Sequence, residues 1–196
     1  MPGGGDLAID ASATYGYHRN DVDRETMLGT AGSRYNAQDF SLLGRVGYEF
    51  TVAERATVTP VFATEYTHLR TDSFSESGAG LADLDVDSMN HDSFRTRLGT
   101  SLAYAFDVDE TTIVPEVFAG WEREFADVDV DVSSQFAAGS PLFTTHARGV
   151  GRDTLRTTAG ITAMKGTHFT LFVRYKGGFQ SGRSSHGVVG GLDIRF

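Results

Sequence analysis

The residue types that could support catalysis gather in one acidic stretch of the sequence. Asp83, Asp85 and Asp87 lie close to His91 and Asp92. Paired carboxylates beside a histidine can hold and deprotonate a water molecule. A hydrolase built in this way needs a matching Asp–His pair on another connection, and the sequence offers none. We therefore predict that the chain is not an enzyme.

A second acidic stretch raises the question of metal binding. Asp127, Asp129 and Asp131 alternate along one segment and are of a type that binds Ca²⁺. The segment lacks the glycine turn and the bidentate glutamate of a dedicated calcium site. The six histidines have no ligand spacing, and the chain contains no cysteine. The sequence predicts no metal and no cofactor.

Length and charge exclude several further classes. The chain has 196 residues and a net charge of -9, with 26 acidic against 17 basic residues, which argues against a nucleic-acid partner. No apolar run approaches the roughly 20 residues of a membrane helix. These observations do not exclude a transmembrane β-barrel, because the hydrophobicity of such a barrel alternates along each strand.

Residues 1–6 are predicted to be a linker-like start without signal-peptide features, followed by one domain over 7–196.

Apolar and polar residues alternate with period two, which predicts strands that have one apolar face. The alternation recurs in eight segments: 7–17, 40–50, 58–68, 94–106, 113–122, 155–163, 169–176 and 188–196. The connections between them alternate in predicted length. Short ones lie near 52–56, 107–110 and 164–167, and long ones near 18–38, 70–92, 126–151 and, more modestly, 180–186. Short turns at one end and long loops at the other are typical of an outer-membrane barrel.

The polar face of these strands is ionic, with glycine and serine between the charges. Its charged residues are Arg45, Glu49, Glu65, Arg95, Arg97, Glu116, Glu122, Arg156, Arg174 and Arg195. Long charged side chains with small neighbours suit a narrow lumen in which they pair with one another. We predict that these residues face the lumen, and a solvated sheet face is the alternative.

Aromatic residues lie at strand ends, as expected where rings mark membrane interfaces. Two girdles are predicted: Tyr48, Phe50, Tyr104 and Phe106 at the short-turn end, and Tyr66, Trp121, Phe125, Tyr175 and Phe179 at the long-loop end. The last strand carries Gly191 and Ile194 and ends at Phe196. This ending resembles the sorting signal that the barrel assembly machinery reads, although Val189 stands where the signal prefers a polar residue.

An ordered set of motifs covers nearly the whole chain. It includes Gly47-Tyr48-Glu49-Phe50, Arg95-Thr96-Arg97-Leu98-Gly99, Trp121-Glu122-Arg123-Glu124-Phe125, Tyr175-Lys176-Gly177-Gly178-Phe179 and the terminal Phe196. With these motifs the sequence resembles the C-terminal translocator domain of the autotransporters (type V secretion). The resemblance implies an all-β, antiparallel, twelve-stranded transmembrane barrel in the outer membrane of a Gram-negative bacterium. It also implies a linker helix in the pore and three partners: outer-membrane lipid, the barrel assembly machinery and an N-terminal passenger.

This chain is expected to supply about eight strands of that barrel, starting near the fifth, without the linker helix or the passenger. Because the helix is missing, Glu49, Glu65 and Glu116 are not assigned to the linker cleavage that some family members perform. The predicted function is an outer-membrane translocator unit that anchors a passenger and assists its export. The alternative is a small closed barrel with a structural or adhesive role through acidic extracellular loops. A loop-carboxylate hydrolase is the third hypothesis.

Overall fold

A computed structural model of the chain describes residues 5–149 and 151–195 as two antiparallel sheets. A single 3-10 turn, Gly80–Ala82, accompanies the strands in this part of the chain. The strands are β1 (Asp6–Thr26), β2 (Gly29–Ala53), β3 (Ala56–Thr71), β4 (Phe74–Ser75), β5 (Leu84–Val86), β6 (Met89–Tyr104), β7 (Phe106–Val108), β8 (Thr111–Glu124), β9 (Val130–Phe136), β10 (Phe143–Ala147), β11 (Asp153–Lys165), β12 (Phe169–Gln180) and β13 (Arg183–Ile194).

Eight long strands form a curled half-barrel in the order β1-β2-β3-β6-β8-β11-β12-β13, with β7 paired to β8. They correspond to the eight segments that alternation predicts, so the all-β antiparallel prediction is confirmed. Each strand pairs with its neighbour along the chain once the short strands are left aside. Over the described residues, β1 pairs with β2 alone and β13 with β12 alone, so the sheet has two edges.

The register places the two residue classes on opposite faces of the main sheet. Residues directly opposite each other in an antiparallel pair project to the same side. Along one side, Phe62 lies opposite Leu98, and Leu98 lies opposite Trp121. Along the other side, Arg97 lies opposite Glu122. We refer to these two sides as the apolar face and the ionic face.

Large side chains cover the apolar face without being buried by protein. The buried hydrophobic residues of the described chain are small: Ala31, Ala37, Val61, Ala63 and Ala79. No large side chain there is fully buried, whereas Leu98 is 60% exposed and Ile161 54%. A continuous apolar surface of this extent must be covered by something other than the sheet itself. Within the described residues, no helix combines the length and the hydrophobicity needed to cross a membrane.

The three short connections are tight turns, as predicted. Ala53 pairs with Ala56 and Val108 pairs with Thr111, so two residues make each of these turns. Asp109 has a φ of 53°, a left-handed conformation that aspartate tolerates better than most residues. The third turn follows Lys165, where Gly166 supplies a φ of 58°. These three turns lie at the same end of the sheet.

Two of the segments predicted to be long loops are β-hairpins with tight turns, so these two predictions are wrong. The segment 18–38 is a hairpin in which β1 and β2 continue to a two-residue turn at Met27 and Leu28. The segment 180–186 likewise holds a two-residue turn, with a φ of 75° at Gly182. The apolar alternation stops in both segments although backbone pairing continues. Strands that extend beyond an apolar surface need no hydrophobic period, so the pattern fails to mark them.

The other two long connections are confirmed, and they carry a second sheet. Its four short strands run in the order β10-β9-β5-β4. The stacked rings of Tyr35 and Phe74, 4.5 Å apart, join this sheet to β2, and a bridge between Gly32 and Ser77 adds backbone hydrogen bonds. The long-connection end of the molecule is therefore a folded layer and not a set of separate loops.

Candidate functional site

The centre of the ionic face is a carboxylate held by two arginines. Glu122 of β8 accepts hydrogen bonds from Arg97 of β6 and Arg156 of β11, with its side chain only 4% exposed. Arg97 donates through Nε at 2.9 Å, and Arg156 donates through Nε and Nη2 at 3.0 and 2.6 Å. Arg156 lies opposite Gly120, a residue without a side chain that would fill the same space. One glutamate thus links three adjacent strands.

Two further groups continue the charge pairing to either side. Arg95 Nη2 lies 2.9 Å from a carboxylate oxygen of Glu65, and its Nε lies 3.9 Å from Glu124. Arg174 of β12 donates to Glu116 of β8 at 2.5 Å. The three groups together cross β3, β6, β8, β11 and β12. Opposite charges therefore alternate over most of the width of the sheet.

Seven of the ten charged residues predicted for this face enter these groups: Glu65, Arg95, Arg97, Glu116, Glu122, Arg156 and Arg174. Arg45 is separate and lies 3.6 Å from Asp10. Glu49 lies opposite Asp6 at the edge of the sheet, and among the described residues it has no ion pair. Arg195 lies beyond the end of β13, where its Nε is 3.2 Å from Asp193. Glu124 belongs to the network, although it was not among the ten.

An aromatic ring on the ionic face is a feature that sequence reasoning missed. Phe118 lies out of phase with the apolar residues on either side of it and packs over Gly99 and Gly120. A Cβ atom built on Gly99 would lie 2.5 Å from the ring, and one on Gly120 would lie 2.6 Å from it. Phe172 covers Gly191 in the same way, at 2.5 Å. The aromatic rings pack directly against the backbone of these glycines, and only a residue without a side chain fits there.

The nine predicted girdle residues all project from the apolar face or its continuation, and none is buried. Two ring pairs lie at the short-turn end: Tyr48 with Phe50 at 4.6 Å, and Tyr104 with Phe106 at 6.0 Å.

At the other end, the polar atoms of the girdle rings have polar partners. The indole of Trp121 donates to Asp153 at 2.9 Å, and the hydroxyl of Tyr66 donates to Asp92 at 2.7 Å. The hydroxyl oxygen of Tyr175 lies 2.6 Å from Nδ1 of His186. Aromatic side chains with one polar, hydrogen-bonding atom are suited to an interface between apolar and aqueous surroundings.

The predicted sorting signal lies on an edge strand. Gly191 pairs with Phe172, and Ile194 pairs with Phe169, so both belong to the β12–β13 ladder. Phe196 lies outside the described residues. The sheet side of β13 is therefore occupied by β12, while its other side faces away from the sheet.

The carboxylates considered for catalysis do not converge. Asp83 is buried, and its Oδ1 accepts the backbone N–H of Ala79 at 2.9 Å, which is a structural role. Asp85 lies in β5 opposite Ser75, in the second sheet. Asp92 lies in β6 and is hydrogen-bonded to Tyr66 and His68. Among the described residues, these carboxylates form no pair beside a histidine of the kind that could activate water.

The second acidic stretch does not gather into a cation site. Asp131 lies 2.6 Å from His146, Asp129 accepts the backbone N–H of Gly149 at 3.0 Å, and Asp127 lies 3.9 Å from Arg152. Across residues 5–149 and 151–195, no group of three or more histidine, aspartate and glutamate side chains is placed to hold a metal ion.

An ion pair with a buried carboxylate and a partly exposed arginine also ties the second sheet to the β1–β2 hairpin. Arg24 donates to both carboxylate oxygens of Glu76, at 2.9 and 2.5 Å, and to the carbonyl of Ala82 at 2.8 Å. The hydrogen bond to Glu76 raises the pKa of the Arg24 guanidinium above its ordinary value. Glu76 is 7% exposed and also accepts the backbone N–H of Leu84. No sequence pattern pointed to this pair, because its members are 52 positions apart.

A sheet with one exposed apolar face and one ionic face, whose long connections both lie at the same end, is the wall of an outer-membrane β-barrel. The chain belongs to the autotransporter β-domain family, which it matches over residues 2–176. It is therefore a translocator unit of the Gram-negative outer membrane, and the family associates such a unit with a linked passenger.

Two relatives show how far the similarity extends. An extracellular serine protease of Serratia marcescens is 26% identical over 196 residues, which cover 98% of this chain and 19% of that protein. Outer membrane protein A of Rickettsia conorii is 26% identical over 90 residues, 46% of this chain and 4% of that protein. The chain thus spans about a fifth of the length of the first relative.

Proposed function

We propose that this chain anchors a passenger, located N-terminal to it in the parent polypeptide, in the outer membrane and assists export of that passenger. The observation that carries the proposal is the ionic network centred on Glu122, on the face opposite the apolar surface. Charges that pair within a wall keep a pore hydrated without a large field of one sign. A polypeptide in transit would then meet water and satisfied charges instead of an adhesive apolar surface.

In this proposal, the ionic face lines the pore and the apolar face contacts lipid. The nine girdle residues would lie at the two membrane interfaces. Gly191, Ile194 and Phe196 would be the signal that the barrel assembly machinery reads. An edge strand suits such a signal, because its free backbone N–H and C=O groups can form hydrogen bonds with a strand of a partner protein. The orientation is supported by the exposed apolar residues, for which lipid is the natural cover.

The two sheet edges bear on how the barrel closes. Unpaired backbone groups are costly in hydrocarbon, so the outer sides of β1 and β13 require partners. We propose that further strands of a twelve-stranded barrel complete the wall between them.

The second candidate function, a small closed barrel with a structural or adhesive role, is favoured by the folded second sheet at the long-connection end. In that case β1 and β13 would pair with each other.

The mass of the native polypeptide distinguishes these candidates. We expect an antibody against the β-domain to detect, in the outer-membrane fraction, a band well above the 21.2 kDa of this sequence. Proteolysis of intact cells should shift that band down by releasing the passenger. A band near 21.2 kDa that migrates faster unboiled than boiled would contradict the translocator proposal and support the small closed barrel.

Fluorescence of Trp121 tests the orientation of the sheet. This residue is the single tryptophan of the chain and is 49% exposed on the apolar face, so its emission reports one site. We expect nitroxide-labelled lipids to quench it, more strongly when the label lies near the headgroup than at the bilayer centre.

A matched reporter on the opposite face is W121F/K176W, because Lys176 is exposed on the ionic face beside Gly187, where space is open. That reporter should respond to aqueous iodide and not to the labelled lipids. The reverse pattern for the two tryptophans would show that the faces are assigned the wrong way round.

A further inference from the structure

A cluster of hydrogen-bond donors lies on the outward side of β1, β2 and β3, just beyond the apolar surface. Arg19 lies directly opposite Asn36, and Gln38 lies directly opposite Arg70. These four residues share the side of the sheet that carries Tyr17, because Tyr17 is also opposite Gln38. We call this cluster the arginine patch.

The two guanidinium groups of the arginine patch are open to a ligand. Arg19 is exposed and forms no ion pair with the part of the chain that the structure describes. Arg70 is 62% exposed, and its nearest carboxylate, on Asp72, lies 4.0 Å from Nε. The neighbouring Arg34 shows the contrast, since both Nε and Nη2 donate to Asp21. The arginines at the centre of the ionic face pair with carboxylates at hydrogen-bond distance, whereas within the described residues Arg19 has no ion pair and Arg70 has only the 4.0 Å contact with Asp72.

The chemistry of the patch points to phosphate. A guanidinium presents its N–H groups in a planar fork that matches the oxygens of phosphate, and two such groups flank the amide donors of Asn36 and Gln38. Arg19 and Arg70 are two strands apart, which corresponds to about 10 Å across the sheet. A ligand with one or two phosphate groups on a broad headgroup can contact both.

The position of the patch identifies the source of that phosphate. Below it on the same face lie Tyr15, Phe40 and Leu42, which are exposed and apolar or aromatic. Arg19 is two residues beyond Tyr17, about 7 Å along the strand. The long connections of outer-membrane barrels face the cell exterior. The patch therefore meets the headgroup layer of the outer leaflet, if the apolar face contacts lipid as the proposed function requires.

We propose that Arg19 and Arg70, with Asn36 and Gln38 between them, bind the phosphate of a phosphorylated glycolipid in the outer leaflet. The acyl chains of that lipid lie against Leu42 and Phe40, directly below. This inference rests on the proposed lipid-facing orientation. It adds a lipid-binding site to the outer surface of the barrel, away from the ionic face.

The test compares R19Q/R70Q with a control that loses the same charge elsewhere. R55Q/R148Q removes one arginine from the β2–β3 turn and one from the connection after β10. The full chain is extracted from outer membranes in mild detergent, stripped of lipid and titrated with bisphosphorylated lipid A by native mass spectrometry. We expect the Kd of R19Q/R70Q to rise about tenfold or more, while the control binds like the unaltered chain. R19K/R70K, which keeps the charge, should retain most of the binding.

Two results would overturn the proposal. One is equal binding of lipid A by R19Q/R70Q and by the unaltered chain. The other is equal binding of dephosphorylated lipid A, which would assign the contact to the acyl chains alone. Folding of each variant is checked by its faster migration before boiling, and a variant that fails this check is replaced by the single change Arg70→Gln. If labelled lipids still quench Trp121 but R19Q/R70Q binds lipid A like the unaltered chain, the proposed phosphate site is wrong and the lipid-facing orientation is retained. Loss of that quenching would instead contradict the orientation.

Discussion

Glu122→Gln is expected to lower the free energy of unfolding by about 3 kcal/mol, which is the lower end for breaking a buried ion pair. The change removes the negative charge that Arg97 and Arg156 share and leaves their two guanidinium groups, on the strands that flank β8, to repel each other. Each arginine is about one third exposed, so water compensates part of the loss. Urea unfolding of the folded chain in detergent micelles, followed by the emission of Trp121, measures the effect.

The matched control for this change is Glu110→Gln. Glu110 is 84% exposed and lies 3.7 Å from Lys165, so it represents a pair open to solvent. Pairs of that kind contribute on the order of 0.5 kcal/mol or less. We expect the control to unfold with a midpoint close to that of the unaltered chain. Equal losses for the two variants would show that Glu122 is an ordinary surface charge, and the view that Glu122 holds β6, β8 and β11 together would then be wrong.

The sequence was sufficient to predict the eight strands and the side on which most residues lie. Period-two alternation survives wherever one face is apolar and the other polar, as in Leu98 against Arg97 and Gly99. It was not sufficient to predict which charges meet. The pairing of Arg97 with Glu122, 25 positions apart, depends on the turn after Val108 and on the register of two strands. A change of one residue in that turn would place different side chains opposite each other.

The errors have a common physical origin. The segment 18–38 was predicted to be a loop because its side chains are mostly polar on both sides. Its backbone nevertheless forms a regular ladder, from Tyr17 opposite Gln38 to Thr26 opposite Gly29. Hydrophobic patterning reports what surrounds a strand and not whether the strand exists. The pair of Arg24 and Glu76 was missed for a related reason, because it stabilises contacts between a hairpin and a connection that only the fold brings together.

Ring packing and ion pairing on the ionic face depend on each other through the glycines. On the ionic face, Gly99 and Gly120 leave space for the ring of Phe118, and their strands also carry Arg97 and Glu122 two positions away. A side chain on either glycine would push β6 and β8 apart at the point where these two charges must meet. Ring packing and ion pairing are therefore expected to fail together when the glycine is replaced.

Gly99→Ala is expected to be the most damaging small substitution in the sheet. The new Cβ atom would lie 2.5 Å from the ring of Phe118 and 2.7 Å from the carbonyl oxygen of Ala119, and the second contact is with backbone. Because backbone cannot move aside as a flexible side chain can, the strands must shift. We expect a loss of about 2–3 kcal/mol, which is typical of overpacking. Urea unfolding and the yield of the fast-migrating unboiled form measure it.

Gly187→Ala provides the matched control, because Gly187 is also a strand glycine on the ionic face and no atom lies within 4 Å of its added Cβ. It should be neutral or slightly stabilising, since alanine restricts the unfolded chain more than glycine does. Adding Phe118→Leu to Gly99→Ala should restore part of the lost stability, because a smaller side chain relieves one of the two contacts. If Gly99→Ala and Gly187→Ala unfold alike, the ring of Phe118 does not need the space at Gly99, and the coupling between ring packing and ion pairing does not hold.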